Sequence, residues 1–189
     1  MNDPFVDLIQ VATDALEQLG IEYAVTGSIA SSIHGEPVVS QDVDIVVRMT
    51  SQQARELADR LPARFYRSED RLRYVAENGG VANLIDTETG LKVDLSVLPH
   101  TPFYDSLMSR RRKSSFGMES ASCDIVTPED IILMKLEWRK DTKSHKQWDN
   151  ALSVMSVQRN RLDWKYMYQQ AESLGVTDDL VRMRDEAGI

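Results

Sequence analysis

YAVTGSIASSIHGEPVVSQDVDIVV, residues Tyr23 to Val47, joins two strand-like runs through a Gly-Ser turn and a short helix. The spacing predicts a strand over Ile21–Thr26, a break at Gly27-Ser28, a helix over Ser28–His34 and a second strand over Gln41–Arg48. Side chains alternate along a strand, so Asp42 and Asp44 share one face. Val43, Ile45 and Val47 take the other face and point into a core. Two carboxylates about 7 Å apart on one strand face repel each other. A divalent cation is the obvious charge to offset that repulsion. Gly27 permits close backbone approach, and the helix N-terminus after it offers unpaired N–H groups to a phosphate. Ser28 adds a hydroxyl donor.

A third carboxylate belongs with these. In Leu91–Val97 the apolar residues Leu91, Val93, Leu95 and Val97 alternate with Lys92, Asp94 and Ser96. An aspartate in mid-strand is unfavourable by propensity. If this strand neighbours the first pair, Asp42, Asp44 and Asp94 converge. Oxygen-only ligands suit Mg²⁺ or Mn²⁺, and a phosphate cradle beside a metal is what a nucleoside triphosphate needs.

Working outward, Pro4–Leu19 carries an apolar stripe at helical spacing and stops at Gly20. Ser51–Leu61 and Glu69–Glu77 read as helices, with a short strand over Arg64–Tyr66 between them. Val81–Ile85 and Leu91–Val97 read as a hairpin closed by Asp86–Gly90, which makes the sheet mixed. After Pro102 the pattern weakens to a basic run, Arg110–Lys113, read as a solvated charged loop, and an edge strand, Asp124–Val126. From Thr127 everything reads as helix. Thr127 and Pro128 start one helix, Ser144–Gln147 has the capping-box pattern, and Asp163 and Thr177 start two more. This divides the chain into residues 1–126 and a helical unit over 127–189.

The chain has 189 residues, with 42% hydrophobic and 28% charged side chains, a globular composition. No apolar run approaches the ~20 residues of a bilayer crossing, and no signal peptide is visible, so a cytoplasmic protein without a membrane partner is expected. The single cysteine, Cys123, excludes an intrachain disulfide and reads as a small buried hydrophobe. His34, His100 and His145 lack metal-ligand spacing. Trp138, Trp148 and Trp164 read as core. A net charge of −8 makes duplex DNA a poor partner.

Gly27-Ser28 followed by Asp42-Val43-Asp44 and then Asp94 resembles the minimal nucleotidyltransferase (DNA polymerase β-like) superfamily. Phe65-Tyr66, Asn83-Leu84-Ile85, Leu91–Leu95, Thr127–Leu136 and Gln147-Trp148-Asp149 resemble its bacterial branch related to AbiEii-type toxins. The resemblance implies an α+β fold, a mixed sheet flanked by helices and followed by a C-terminal helical bundle. It implies Mg²⁺- or Mn²⁺-dependent transfer of a nucleoside monophosphate from an NTP to RNA (tRNA included), a protein or a small molecule, with pyrophosphate released. Asp42, Asp44 and Asp94 would be catalytic and hold the metal; Gly27, Ser28, Lys135 and Asp149 would meet the nucleotide. A toxin restrained by an antitoxin partner is implied as well. One departure stands out: relatives often carry arginine four residues before the first aspartate, where this chain has Val38. Arg48, Arg139 and Lys143 are candidate replacements for that charge. The alternative is a non-catalytic protein that keeps the fold and binds a nucleotide or partner.

Overall fold

The computed structural model describes residues 3–116 and 121–189. Seven strands form one mixed sheet in the order β3-β4-β5-β2-β1-β7-β6. The chain enters through α1 (Pro4–Gln18), β1 (Glu22–Val25), α2 (Gly27–His34) and β2 (Asp42–Arg48). There follow α3 (Ser51–Arg60), β3 (Phe65–Tyr66), α4 (Glu69–Asn78), β4 (Gly80–Asp86) and β5 (Lys92–Val97). Then come α5 (Pro102–Arg110), β6 (Arg112–Phe116) and β7 (Ala121–Ile125). Four helices close the chain: α6 (Pro128–Thr142), α7 (His145–Gln158), α8 (Trp164–Leu174) and α9 (Thr177–Glu186).

The strand pattern works as its alternation requires. Val43, Ile45 and Val47 of β2 and Val93 and Leu95 of β5 are fully buried. Each contributes roughly 1.5–3 kcal/mol of burial. α1 packs across β1, β5 and β7. β2 pairs antiparallel with β1 and parallel with β5, in a register that sets Asp42 beside Lys92 and Asp44 beside Asp94. The expected hairpin is present: β4 and β5 pair antiparallel, Gly80 opposite Val97, and Gly90 takes a positive φ of 75° in the turn.

Two expectations need correction. Asp124 and Ile125 do not form an edge: β7 lies between β1 and β6, and the edge is β6. The basic run is not a solvated loop. Arg110 ends α5, Arg112 and Lys113 enter β6, and three of the four cations are ion-paired. Arg110 meets Glu129 at 3.1 Å, Arg111 meets Asp124 at 3.3 Å and Glu22 at 3.6 Å, and Lys113 meets Glu17 at 2.6 Å. A charge run can serve a strand edge when acids from α1, β1 and β7 face it.

α6 starts as its sequence dictates: Thr127 caps it by accepting from the Asp130 N–H, with Pro128 in the first turn. The fully buried Asp130 accepts from Thr127 Oγ1 at 2.6 Å and from the Tyr166 hydroxyl at 2.5 Å, which ties α8 to the start of α6. Buried residues of the sheet and of the helices after Thr127 form one hydrophobic cluster. Cys123 belongs to it, and burial pushes its thiol up to about 12. No helix among the described residues is long and apolar enough to cross a membrane.

Candidate active site

α2 begins where β1 ends, and this junction builds the site. Gly27 has a φ of 63°, a left-handed value that favours glycine. A Cβ there would lie 1.9 Å from Asp44 Oδ2, so only glycine lets the helix N-terminus press against that carboxylate. The Thr26 N–H donates to the Asp44 carbonyl at 2.9 Å, locking β1 to β2 at the same level. Ser28 sits in the first turn of α2, at the edge of a cleft of about 490 Å³. Gly27, Ser28, Asp42 and Asp44 line the cleft on the sheet side; Lys135 of α6 and Lys146, Gln147 and Asn150 of α7 line the opposite wall.

Asp94 stands on the β5 strand directly beside Asp44. Its two oxygens are already engaged. Asn83 Nδ2 donates to Oδ1 at 2.5 Å, across the β4–β5 ladder, and Lys92 Nζ lies 3.1 Å from Oδ2. The same ammonium is 3.6 Å from Asp42 Oδ2. Lys92 thus supplies positive charge from inside the chain to two of the three carboxylates, Asp42 and Asp94. Its carboxylate partners raise its pKa, the hydrogen bond with Asp94 foremost. Burial, reinforced by the charge of Asp94, raises the pKa of Asp44, and Lys135 partly counters this.

Lys135 is 2% exposed and its Nζ donates to Gln147 Oε1 at 2.9 Å. Burial lowers its pKa to about 8, against the pull of Asp44. A buried ammonium held by one neutral amide oxygen retains donors for an anion. Asn150 is buried too, and its Nδ2 has no hydrogen-bond partner among the described residues. That costs stability unless a ligand accepts from it.

The donor chemistry fits a hard divalent cation. The candidate ligands are carboxylates alone, and the Lys92 ammonium marks a position from which one positive centre reaches both Asp42 and Asp94. Among the described residues no group of three His, Cys, Asp or Glu side chains is arranged to hold a metal as it stands. A cation held by Asp42 and Asp94 would have to displace Lys92 and would take the rest of its shell from water or phosphate oxygens.

Not every expected residue reaches the cleft. Asp94 stands beside Asp44 in register but is not among the lining residues, and Asp149 is exposed on α7 and does not line the cleft, because residue 149 is rotated away from the face that carries Lys146, Gln147 and Asn150. Arg48 pairs with Asp105, Arg139 with Asp179 at 3.4 Å, and neither lines the cleft; Lys143 is the left-handed cap of α6 and does not line it. Val38 is held by Ser32, whose hydroxyl accepts from the Val38 N–H at 2.9 Å. Trp148 is core as expected; Trp138 and Trp164 are half-buried and pack against the core, and Trp138 also lines the cleft one turn beyond Lys135. The i, i+4 placement of Lys146 and Asn150 and the i, i+3 placement of Lys135 and Trp138 were the available sequence signals.

No protein-family model matches the chain, and no curated protein matches it in sequence. Solved structures do. An antigenic nucleotidyltransferase-like protein from Paracoccidioides brasiliensis superposes with a TM-score of 0.66 at 19% identity, over 99% of this chain and 91% of that one. The antibiotic-resistance factor ANT(2'')-Ia superposes with a TM-score of 0.51 at 12% identity, over 99% of this chain and 96% of that one. At such identities the likeness concerns the fold, and it agrees with the topology: the chain has a nucleotidyltransferase-like α+β fold, a mixed sheet flanked by helices with further helices at its C-terminal end.

Proposed function

We propose that the chain is a metal-dependent nucleotidyltransferase that moves a nucleoside monophosphate from an NTP to an acceptor hydroxyl and releases pyrophosphate. The observation that carries the reading is the junction of Gly27 with Asp44, beside Asp94 in register on the next strand. It brings a helix N-terminus and two carboxylates to one point, with a buried lysine across the cleft. Asp42, Asp44 and Asp94 would hold Mg²⁺ or Mn²⁺, which would neutralise triphosphate charge and acidify the acceptor hydroxyl. The first-turn N–H groups of α2 and the Ser28 hydroxyl donate to phosphate oxygens, and Lys135 and Lys146 add positive charge from the other wall. Asp94, oriented by Asn83, accepts the acceptor's proton. The acceptor oxygen forms a bond to the α-phosphorus, and the bond from that phosphorus to the departing pyrophosphate breaks.

The acceptor is RNA (tRNA included), a protein or a small molecule. A role as a toxin restrained by an antitoxin, and a place in the branch related to AbiEii-type toxins, belong to this proposal. Val38 supports a second reading, a nucleotide- or partner-binding protein without turnover, since the loop before Asp42 brings no cation to the phosphates.

Pyrophosphate release separates the two. Wild-type protein incubated with NTPs, Mg²⁺ and fractionated cell extract is expected to release pyrophosphate, and Asp42→Asn/Asp44→Asn is expected to release none. Equal release from both proteins would remove the aspartates from the mechanism. Nucleotide binding with no release from wild type would favour the binding protein.

A further inference from the structure

The cleft has two chemically different ends. Asp42, Asp44 and Ser28 make the polar end, at the start of α2. Along the same strand direction the lining turns apolar. Val46 follows Asp44 by two residues on β2, and Leu98 and Pro99 follow Asp94 by four and five. At a strand rise of about 3.3 Å per residue, this apolar end begins about 7 Å from the carboxylates at Val46 and reaches about 13 Å at Leu98. Trp138 lines the cleft from α6, one turn past Lys135 and about 4.5 Å further along the helix axis, with its side chain against Tyr104 of α5. It is half-buried, whereas Trp148, on the neighbouring helix, is buried.

A nucleoside triphosphate has the same polarity and length: a charged tail, a ribose, and a flat apolar-faced base. On the reading of the polar end as the triphosphate site, we propose that Trp138 is the platform on which the nucleobase stacks. Leu98 and Pro99 give the same end apolar contact. Two polar groups of the cleft are engaged within the chain, while Ser96, beside Val46 in register, and the buried Asn150 amide also line it. The Tyr104 hydroxyl donates to Glu137 Oε2 at 2.5 Å, and Gln147 Oε1 accepts from Lys135. Stacking itself tolerates every base, because each has a π-face. The stack on Trp138 therefore favours a nucleotide over a bare polyphosphate, whichever base it carries.

Calorimetric titration in Mg²⁺ tests this with five probes: ATP, GTP, CTP, UTP and inorganic tripolyphosphate. Trp138→Ala is expected to weaken all four nucleotides by about ten- to a hundredfold, the range for loss of one base–aromatic stack. It is expected to leave tripolyphosphate affinity unchanged, which also reports that the variant is folded. Trp138→Phe keeps a ring and retains most of the affinity. Nucleotide affinity unchanged in Trp138→Ala, or nucleotide and tripolyphosphate weakened alike, overturns the proposal while the triphosphate reading stands. Wild type that binds neither nucleotide nor tripolyphosphate overturns both.

Discussion

Lys92 shows how much the register of two strands can decide at a single residue. In sequence it is only a face-mate of Asp94. Once β5 lies parallel to β2, it stands beside Asp42 and bridges two of the three carboxylates. No spacing rule gives that pairing, because the sequence does not say which strands are neighbours. A cation that holds the carboxylates in place also competes with any metal that enters. Removing one charge at this distance is worth about 1 kcal/mol in water and more in a shielded cleft. Lys92→Met, which keeps the aliphatic stem, is therefore predicted to tighten Mn²⁺ binding by about tenfold, as read by the loss of the free-ion signal in electron paramagnetic resonance. Equal or weaker Mn²⁺ binding would show that Lys92 does not compete. Lys135 carries a pH prediction. Its folded pKa, about 8, lies below its ordinary value of 10.5, so its proton is lost as pH rises through about 8. Tripolyphosphate affinity should fall across that pH range in wild type, and Lys135→Met should bind weakly with no such fall. A wild-type profile flat from pH 7 to about 9 would mean that Lys135 does not contact the anion.

At the scale of elements, the turn from β1 into α2 is the part of the site the sequence displayed most openly. Gly27, Ser28, Asp42 and Asp44 could be placed by period alone, and the structure brings them to one cleft. Gly27→Ala combines a positive-φ position with a Cβ driven into Asp44, so it is predicted to destabilise the protein by more than about 1 kcal/mol in urea unfolding and to weaken Mn²⁺ binding. An alanine variant with wild-type stability and metal affinity would mean that α2 and Asp44 are not held together as described. Elsewhere the pattern was silent for physical reasons. β6 reads RKSSF, with no apolar alternation, because an edge strand with ion-paired side chains needs none. α5 was readable in principle: Thr101 caps it and Pro102 opens it, the same signature that marked α6. Trp138 packs against the core as its helix suggests, but helical period alone does not say that one side of α6 also borders a cleft.

Across the whole molecule, the helices after Thr127 line the second wall of the cleft, and buried polar contacts tie α6 to α8 and to the end of α5. Asp130 is the centre of this attachment, holding the Thr127 and Tyr166 hydroxyls with Arg110 3.6 Å away. Burial raises its pKa and the two hydroxyls counter the rise. Tyr166→Phe removes one donor from a fully buried carboxylate and is predicted to cost roughly 1–3 kcal/mol in urea unfolding. A change below about 0.5 kcal/mol would mean that solvent reaches Asp130. We propose that the unit over 127–189 does not act without the sheet, since Lys135 and Asp44 must face each other for the cleft to bind a triphosphate. The central claim is that the three aspartates carry nucleotidyl transfer, and the most direct measurement follows the transferred group. Wild type and Asp42→Asn/Asp44→Asn, each with the four α-labelled NTPs and Mg²⁺, are incubated with the RNA, protein and small-molecule fractions of a cell extract. Label entering one fraction with wild type and none with the double variant is the predicted result. Folded wild type that binds nucleotide but labels no fraction would contradict the account.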